Sequence, residues 1–303
     1  MKYFSPLLPF VLGWLLLLLS SELSTLGLIN GLLQLLLFAL LVCLPIAMTG
    51  RMSYVDIAWP WGLVLIGVLT LFLSDGDGFK ITVVSVAYIF AGARMGIGAL
   101  KMWKVGFLKR ELPRYEYQKR RWQVAGKTNV ALNMQVEGIL QGLANASFLA
   151  IPAFVIASYP SEAISIFEII GLVIWLGAFI MESIADNQKY AFLTTMKKSG
   201  QRNRVCDVGL WKYSRHPNYF AEWMVWNGLI IASIPSWFAL YDRESLIIWL
   251  LLGCGLIYAS RMMYTTLVYY TGAVPAEYYS IQKRPDYKDY QARTNRFFPG
   301  ARK

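Results

Sequence analysis

Apolar residues run through this chain in blocks long enough to form membrane helices, and the polar stretches between them carry most of the charge. Leu7 to Leu19 and Leu32 to Ala47 are nearly unbroken examples. A bilayer core of about 30 Å takes about 20 mostly apolar residues per helix. Eight segments approach that length: 6–28, 31–49, 54–73, 80–101, 134–158, 163–186, 218–240 and 245–271. The second and third are short and joined only by Gly50 to Ser53, so seven spans is the alternative. The predicted fold class is all-α, a polytopic transmembrane bundle of seven or eight helices.

Ionisable residues inside such spans cost about 2.5–3.5 kcal/mol on insertion scales and mark helix faces turned toward the protein. They are few: Asp56 opens the third span, Arg94 lies in the fourth near Tyr88, Glu182 and Asp186 end the sixth, Glu222 lies in the seventh and Arg261 in the eighth. The fifth span is the most patterned. Asn133, Glu137, Gln141 and Asn145 recur at every fourth residue and share one helical face, beside Gly138 and Gly142. That stripe either lines a polar cavity or hydrogen-bonds to neighbouring helices.

Composition agrees with the pattern. Of 303 residues, 56% are hydrophobic and 16% charged, and the mean hydropathy is +0.45. Soluble domains carry nearer a quarter charged residues. The net charge of +11 is unevenly placed: 23 of the 29 Lys and Arg fall in 101–135, 187–217 and the tail from Lys283 onward. The intervening loops 74–79, 159–162 and 241–244 hold Arg243 against five acidic residues. Basic loops on alternate sides are what the positive-inside rule requires, and Lys2 and Arg51 join the same face only if the number of spans is even. Eight spans with both termini inside is therefore the favoured topology. Topology accounts for the basic charge without nucleic acid, and acidic lipid headgroups would be attracted to it as well. The first segment resembles a signal-peptide core but lacks a small-residue cleavage site, so it reads as a retained helix. Cys43, Cys206 and Cys254 have no metal-ligand spacing, and no metal is expected.

The segment GLWKYSRHPNYFAE, Gly209 to Glu222, precedes the seventh span and contains the chain's one histidine, His216. Pro217 ends the preceding segment and Asn218 can cap the next helix. A helix N-terminus facing Lys and Arg favours phosphate or carboxylate, and Trp211 or Tyr213 could stack on a purine. An aromatic and basic belt at the membrane interface is the plainer alternative.

This stretch resembles the C-terminal signature of the steroid 5α-reductase family, in its bacterial DUF1295 branch. The likeness extends to EGILQGLANASF in the fifth span, to ESIADNQKYAF with the Lys-Lys-Ser-Gly turn, and to the tail RPDYKDYQARTNRFFP. SYVDIAW and the ELPRYEY loop resemble the bacterial branch specifically. It covers residue 53 to the end, so 1–50 reads as two spans without signature and 51–303 as the reductase-like domain.

The resemblance implies NADPH-dependent reduction of a carbon–carbon double bond conjugated to a carbonyl, in a steroid-like or other enone lipid, at the bacterial inner membrane. Asn218 and Glu222 match positions on the nicotinamide side of the cofactor, Asp186 an adenosine-side contact and Lys197 a phosphate contact, with Tyr279 near a tail tyrosine. The remaining cofactor candidates are Gln141, Glu182, Lys189, Arg202, Arg204, Trp211, Tyr213, Arg215, His216 and Tyr219. The family's histidine-rich run is replaced here by Gly272 to Tyr279, and its substrate-polarising tyrosine by Ala91. Asp56 with Tyr88, then Glu137, are the expected catalytic groups, because a carboxyl or phenol in a dry site stabilises charge on a carbonyl oxygen. Two other classes remain open. Isoprenylcysteine-type membrane methyltransferases share the Arg-His-Pro-x-Tyr motif and bind S-adenosylmethionine, and a non-catalytic lipid-binding protein could retain a relic pocket.

Overall fold

The structure is a computed structural model that describes residues 2–106, 109–201 and 203–302. Every regular element among them is helical: α1 Leu8–Leu19, α2 Ser24–Phe38, α3 Leu44–Thr49, α4 Val55–Leu73, α5 Gly78–Lys104, α6 Pro113–Val124, α7 Val130–Ala146, α8 Ile151–Ala157, α9 Ile166–Lys198, α10 Pro217–Ala239, α11 Leu246–Thr265, α12 Ala273–Lys283 and α13 Tyr287–Arg293. Among the described residues seven helical segments are long and apolar enough to cross a membrane, beginning with Ser24–Thr49. The shorter Ser5–Leu19 precedes them. The polytopic helical bundle expected from the apolar blocks is therefore what forms.

The chain divides into two compact units. The first holds Met1–Ile170 and Leu229–Ala259, the second Gly171–Gly228 and Ser260–Lys303.

In the first unit the helix boundaries differ from the sequence reading at the N-terminus. The expected span 6–28 breaks after Leu19, where Ser20 is extended, and α2 starts at Ser24 rather than near 31. Glu244 makes the break. Its carboxylate accepts from the Ser20 hydroxyl at 2.5 Å and from the Glu22 and Ser21 backbone N–H groups at 3.0 and 3.1 Å. Arg243 pairs with Glu22 and also donates to the Ser158 carbonyl, gathering these turns at one end of the unit. At the other end Lys2 donates to the Gly126 carbonyl and Lys119 to that of Gly50. Ser5–Leu19, though short, thus runs from one end of the unit to the other.

α4 and α5 pack as a tight antiparallel pair. A Cβ on Gly92 would lie 2.5 Å from the Pro60 carbonyl oxygen, and one on Gly67 would lie 2.7 Å from that of Ser85, so only glycine admits the approach. Beside them, α7 and α8 form the most buried of the spans. Their shared helix stops at Ala146 and restarts at Ile151. Broken helix at membrane depth must find other partners for its backbone. The Leu143 carbonyl takes the Ser147 hydroxyl at 2.6 Å, that of Ala144 the Leu149 N–H at 3.2 Å, that of Asn145 the Asn30 amide at 3.1 Å, and that of Leu149 the Tyr88 hydroxyl at 2.6 Å. Gln34 and Asn145 complete the network through the Gly62 and Trp59 carbonyls. Asn30, Gln34 and Asn145 are fully buried.

The second unit is organised by the connection between α9 and α10, which contains one 3-10 turn at Gly209–Lys212, and by the tail. The Arg215 N–H donates to the Asn295 carbonyl at 2.8 Å, the Ser214 hydroxyl to that of Phe297 at 2.9 Å, and the Gly300 N–H to that of Tyr213 at 3.1 Å. Arg293 and Arg302 both pair with Asp207. Phe297 and Phe298 pack edge-on among Phe220, Trp223 and Tyr264. The tail is thereby fixed to the loop through backbone, charge and aromatic surface together.

Candidate functional site

Three features of the loop sequence set the candidate site. Gly209 adopts φ +54°, where a Cβ would meet the Gln188 amide, and its turn lets Leu210 donate to Gln188. Trp211 folds back so that its indole N–H reaches the Ala185 carbonyl at 2.9 Å. Pro217 then starts α10.

These segments enclose a cavity of about 260 Å³ wholly within the second unit. Its wall contains Lys189, Trp211, Arg215, His216, Asn218 and Tyr219, all candidates from the sequence, together with Val205, Cys206, Ala276, Ser280, Arg284, Tyr287 and Tyr290. Lys189 lies over the Trp211 ring, 4.3 Å from its centroid. Arg284 donates to the Ser280 hydroxyl at 2.8 Å and the Arg204 carbonyl at 3.2 Å. Two cations held by neutral groups in one aromatic-walled cavity make a site for an anion with a flat partner.

Below them sits Glu277, 3% exposed. Its carboxylate accepts from Arg215 at 2.7 and 3.2 Å, from Gln291 at 2.9 Å, and lies 3.3 Å from His216 Nε2. A carboxylate oxygen engaged by a guanidinium can only accept, so His216 presents Nε2–H to it. Burial lowers the His216 pKa, an effect the Glu277 hydrogen bond opposes. Its ring stacks on Tyr219 with centroids 5.2 Å apart. Burial raises the Tyr287 and Tyr290 phenols and the Cys206 thiol above their usual values; Lys189 pulls the thiol back in part.

The remaining sequence candidates lie elsewhere. Asp186 accepts from the Asn218 amide at 3.1 Å, behind the wall. Glu222 is buried and accepts from Trp226 at 2.9 Å, and Glu182 is buried one turn before Asp186. Lys197 is exposed at the end of α9, and Tyr213 is 52% exposed. Arg204 pairs with Asp286, and Tyr279 stands edge-on to Tyr278. Arg202 lies outside the described residues. Sequence reasoning missed Arg284, Tyr287 and Glu277. The available signal was that Glu277 is the sole charged residue between Arg261 and Lys283.

The expected catalytic groups belong to the first unit. Asp56 is held by the Tyr115 hydroxyl at 2.5 Å and by Arg114. Tyr115 is buried; burial and the neighbouring Asp56 carboxylate raise its pKa well above the usual phenol value. Glu137 is buried and accepts from Gln141 at 2.9 Å. Tyr88 is occupied at the α7–α8 break. The ends of the polar stripe serve hydrogen bonding: Asn133 donates to the Asn129 and Lys127 carbonyls, and Asn145 to that of Trp59.

Comparison with known families decides the kinship at the coarser level. The family model described as "Protein of unknown function (DUF1295)" matches residues 44–294. The chain belongs to the DUF1295 family. Both the DUF1295 cavity and the Asp56 cluster fall inside the matched range, whereas α1 and α2 precede it. No curated protein and no solved structure matches the chain.

Proposed function

We propose that this protein is a membrane-embedded reductase that binds NADPH at the cavity of the second unit and reduces the conjugated double bond of an enone-type lipid. The observation that carries the reading is the pairing of Lys189 and Arg284 with Trp211, Tyr219 and Tyr287 around one cavity. Lys189 and Arg284 suit phosphate oxygens, since among the described residues neither is paired with a carboxylate, and the aromatic rings suit a base. A volume of about 260 Å³ is near the lower limit for a small-molecule pocket and fits one nucleotide half of such a cofactor. When bound, the cofactor supplies hydride. The protein's own task is to orient it and to stabilise charge on the substrate oxygen. Tyr88, expected from the sequence to take the latter task, hydrogen-bonds the Leu149 carbonyl at the broken helix. The spans give an apolar substrate its route to the site.

The cavity's small volume favours a second reading, an S-adenosylmethionine-dependent methyltransferase, because that cofactor carries one nucleoside with a methionine where NADPH carries two nucleotides. Titrating purified protein with NADPH and with S-adenosylmethionine by calorimetry separates the two. NADPH binding that weakens at least about tenfold in Lys189→Gln and Arg284→Gln supports the reductase, on the scale of a lost charge-assisted contact. Binding of S-adenosylmethionine alone selects the methyltransferase, and binding of neither leaves a lipid-binding role.

A further inference from the structure

The basic segment 101–127 carries nine Lys and Arg against two acidic residues, and topology alone has so far accounted for it. The structure shows how that charge is displayed. α6 buries Tyr115, Gln118 and Trp122 on one face, against a core that includes Met52, Val55 and Met134. Two clasps fix its orientation: Arg114 on Asp56, and Lys119 on Glu111 at 2.8 Å. Glu111 also accepts from the Ser53 hydroxyl and the Met52 N–H, so it is committed to the fold. The opposite face therefore points Arg120 and Arg121 outward. At the end of α5, Lys101 and Lys104 are exposed as well. Large apolar side chains stand among these cations: Trp103 is 57% exposed, Val105 81% and Val124 84%.

A soluble face would have no use for that mixture. Exposed Trp and Val interleaved with Lys and Arg, at the end of a membrane helix, match the headgroup layer, where the ring and the aliphatic groups enter the apolar boundary and the cations meet phosphate. We propose that the end of α5 and the outer face of α6 form a binding surface for anionic phospholipid headgroups. Glu116 is the one acidic residue of the segment left on the exposed side, so the charge complementarity is with an anion. The apolar residues select a headgroup still attached to its bilayer over a free phosphate. The inference stands independently of the cofactor reading, which concerns the other unit.

The test uses the full chain reconstituted in mixed bilayers of phosphatidylcholine and phosphatidylglycerol. Quenching of its tryptophans by brominated phosphatidylglycerol is compared with quenching by brominated phosphatidylcholine. The expected result is preferential quenching by the anionic lipid, with Trp103→Phe removing the lipid-selective share. K101Q/K104Q and R120Q/R121Q should each lower the preference by about 25-fold, since each variant removes two basic residues and one basic residue near an anionic surface contributes about a fivefold factor. K198Q/K288Q removes the same charge from exposed positions in the second unit and should leave the preference intact. Equal quenching by both lipids in the wild type overturns the proposal whether or not any variant folds. So does an equal loss in K198Q/K288Q, or selectivity that survives Trp103→Phe unchanged. If excess inorganic phosphate abolishes the preference, the surface is a free-anion site and the lipid assignment fails.

Discussion

Arg215 and Glu277 meet as a buried two-point ion pair, Nε to Oε1 at 2.7 Å and Nη2 to Oε2 at 3.2 Å. Arg215 also donates to the carbonyls of Gln291 and Thr294, so one guanidinium ties the loop before α10 to both α12 and the tail. Removing one partner of a buried pair strands the other. Glu277→Gln is expected to cost about 3 kcal/mol, read as a lower unfolding temperature in detergent. The matched apolar double variant Arg215→Met with Glu277→Leu should recover part of that loss. An additive double loss would show that the pair does not act as a unit.

His216 predicts a pH dependence. Its folded pKa lies below the usual histidine value because burial disfavours the charged ring. Between the folded and unfolded pKa values the unfolded chain binds the extra proton, so stability rises with pH there. The contribution is fully present above about 6.5 and is lost as the pH falls below it toward the folded value. Unfolding temperatures measured from neutral to mildly acidic pH should fall more steeply in the wild type than in His216→Gln.

The α7–α8 break gives a third expectation. Tyr88→Phe leaves the Leu149 carbonyl without its 2.6 Å donor, and Asn30→Ala does the same to Asn145. Each should lower stability by about 2 kcal/mol, the cost of a buried acceptor left unmatched. Tyr88→Phe should leave NADPH affinity unchanged in the same preparation. A change in affinity with no change in stability would overturn this purely structural role for Tyr88.

Asp56 organises α6 through Arg114 and Tyr115, so Asp56→Asn should loosen that helix. Trypsin cleavage after Arg120 and Arg121, which are already exposed, should accelerate in the variant relative to the wild type. Tyr115→Phe keeps the Arg114 clasp and should show a smaller acceleration.

Much of the membrane architecture was legible because lipid solvent imposes long apolar blocks, and blocks of that length survive any tertiary arrangement. The breaks were not legible. Ser20 to Glu22 become a turn because Glu244, far along the chain, takes three of their donors. Ser147 to Ala150 are ordinary helix formers in sequence, and distant Asn30 and Tyr88 stabilise their departure. The cavity was legible in half. Aromatic and cationic density flagged Lys189, Trp211, Arg215 and His216, whereas Arg284 and Tyr287 sat in a tail whose basic charge was already explained by topology. The sequence pairs Asp56 with Tyr88, yet the side chain that meets Asp56 is Tyr115 of α6, brought there by a loop helix that carries no apolar span signal.

The pinning of loop 199–216 by the tail also sets an order of assembly. Asn295, Phe297 and Gly300 supply the backbone partners of Arg215, Ser214 and Tyr213, and α10 and α11 are synthesised in between. A nascent chain can therefore insert α10 and α11 while Arg215 still lacks the tail carbonyls. Insertion and closure of the cavity are separate events, and a ribosome stalled before Asn295 would hold a threaded protein with an unfinished pocket.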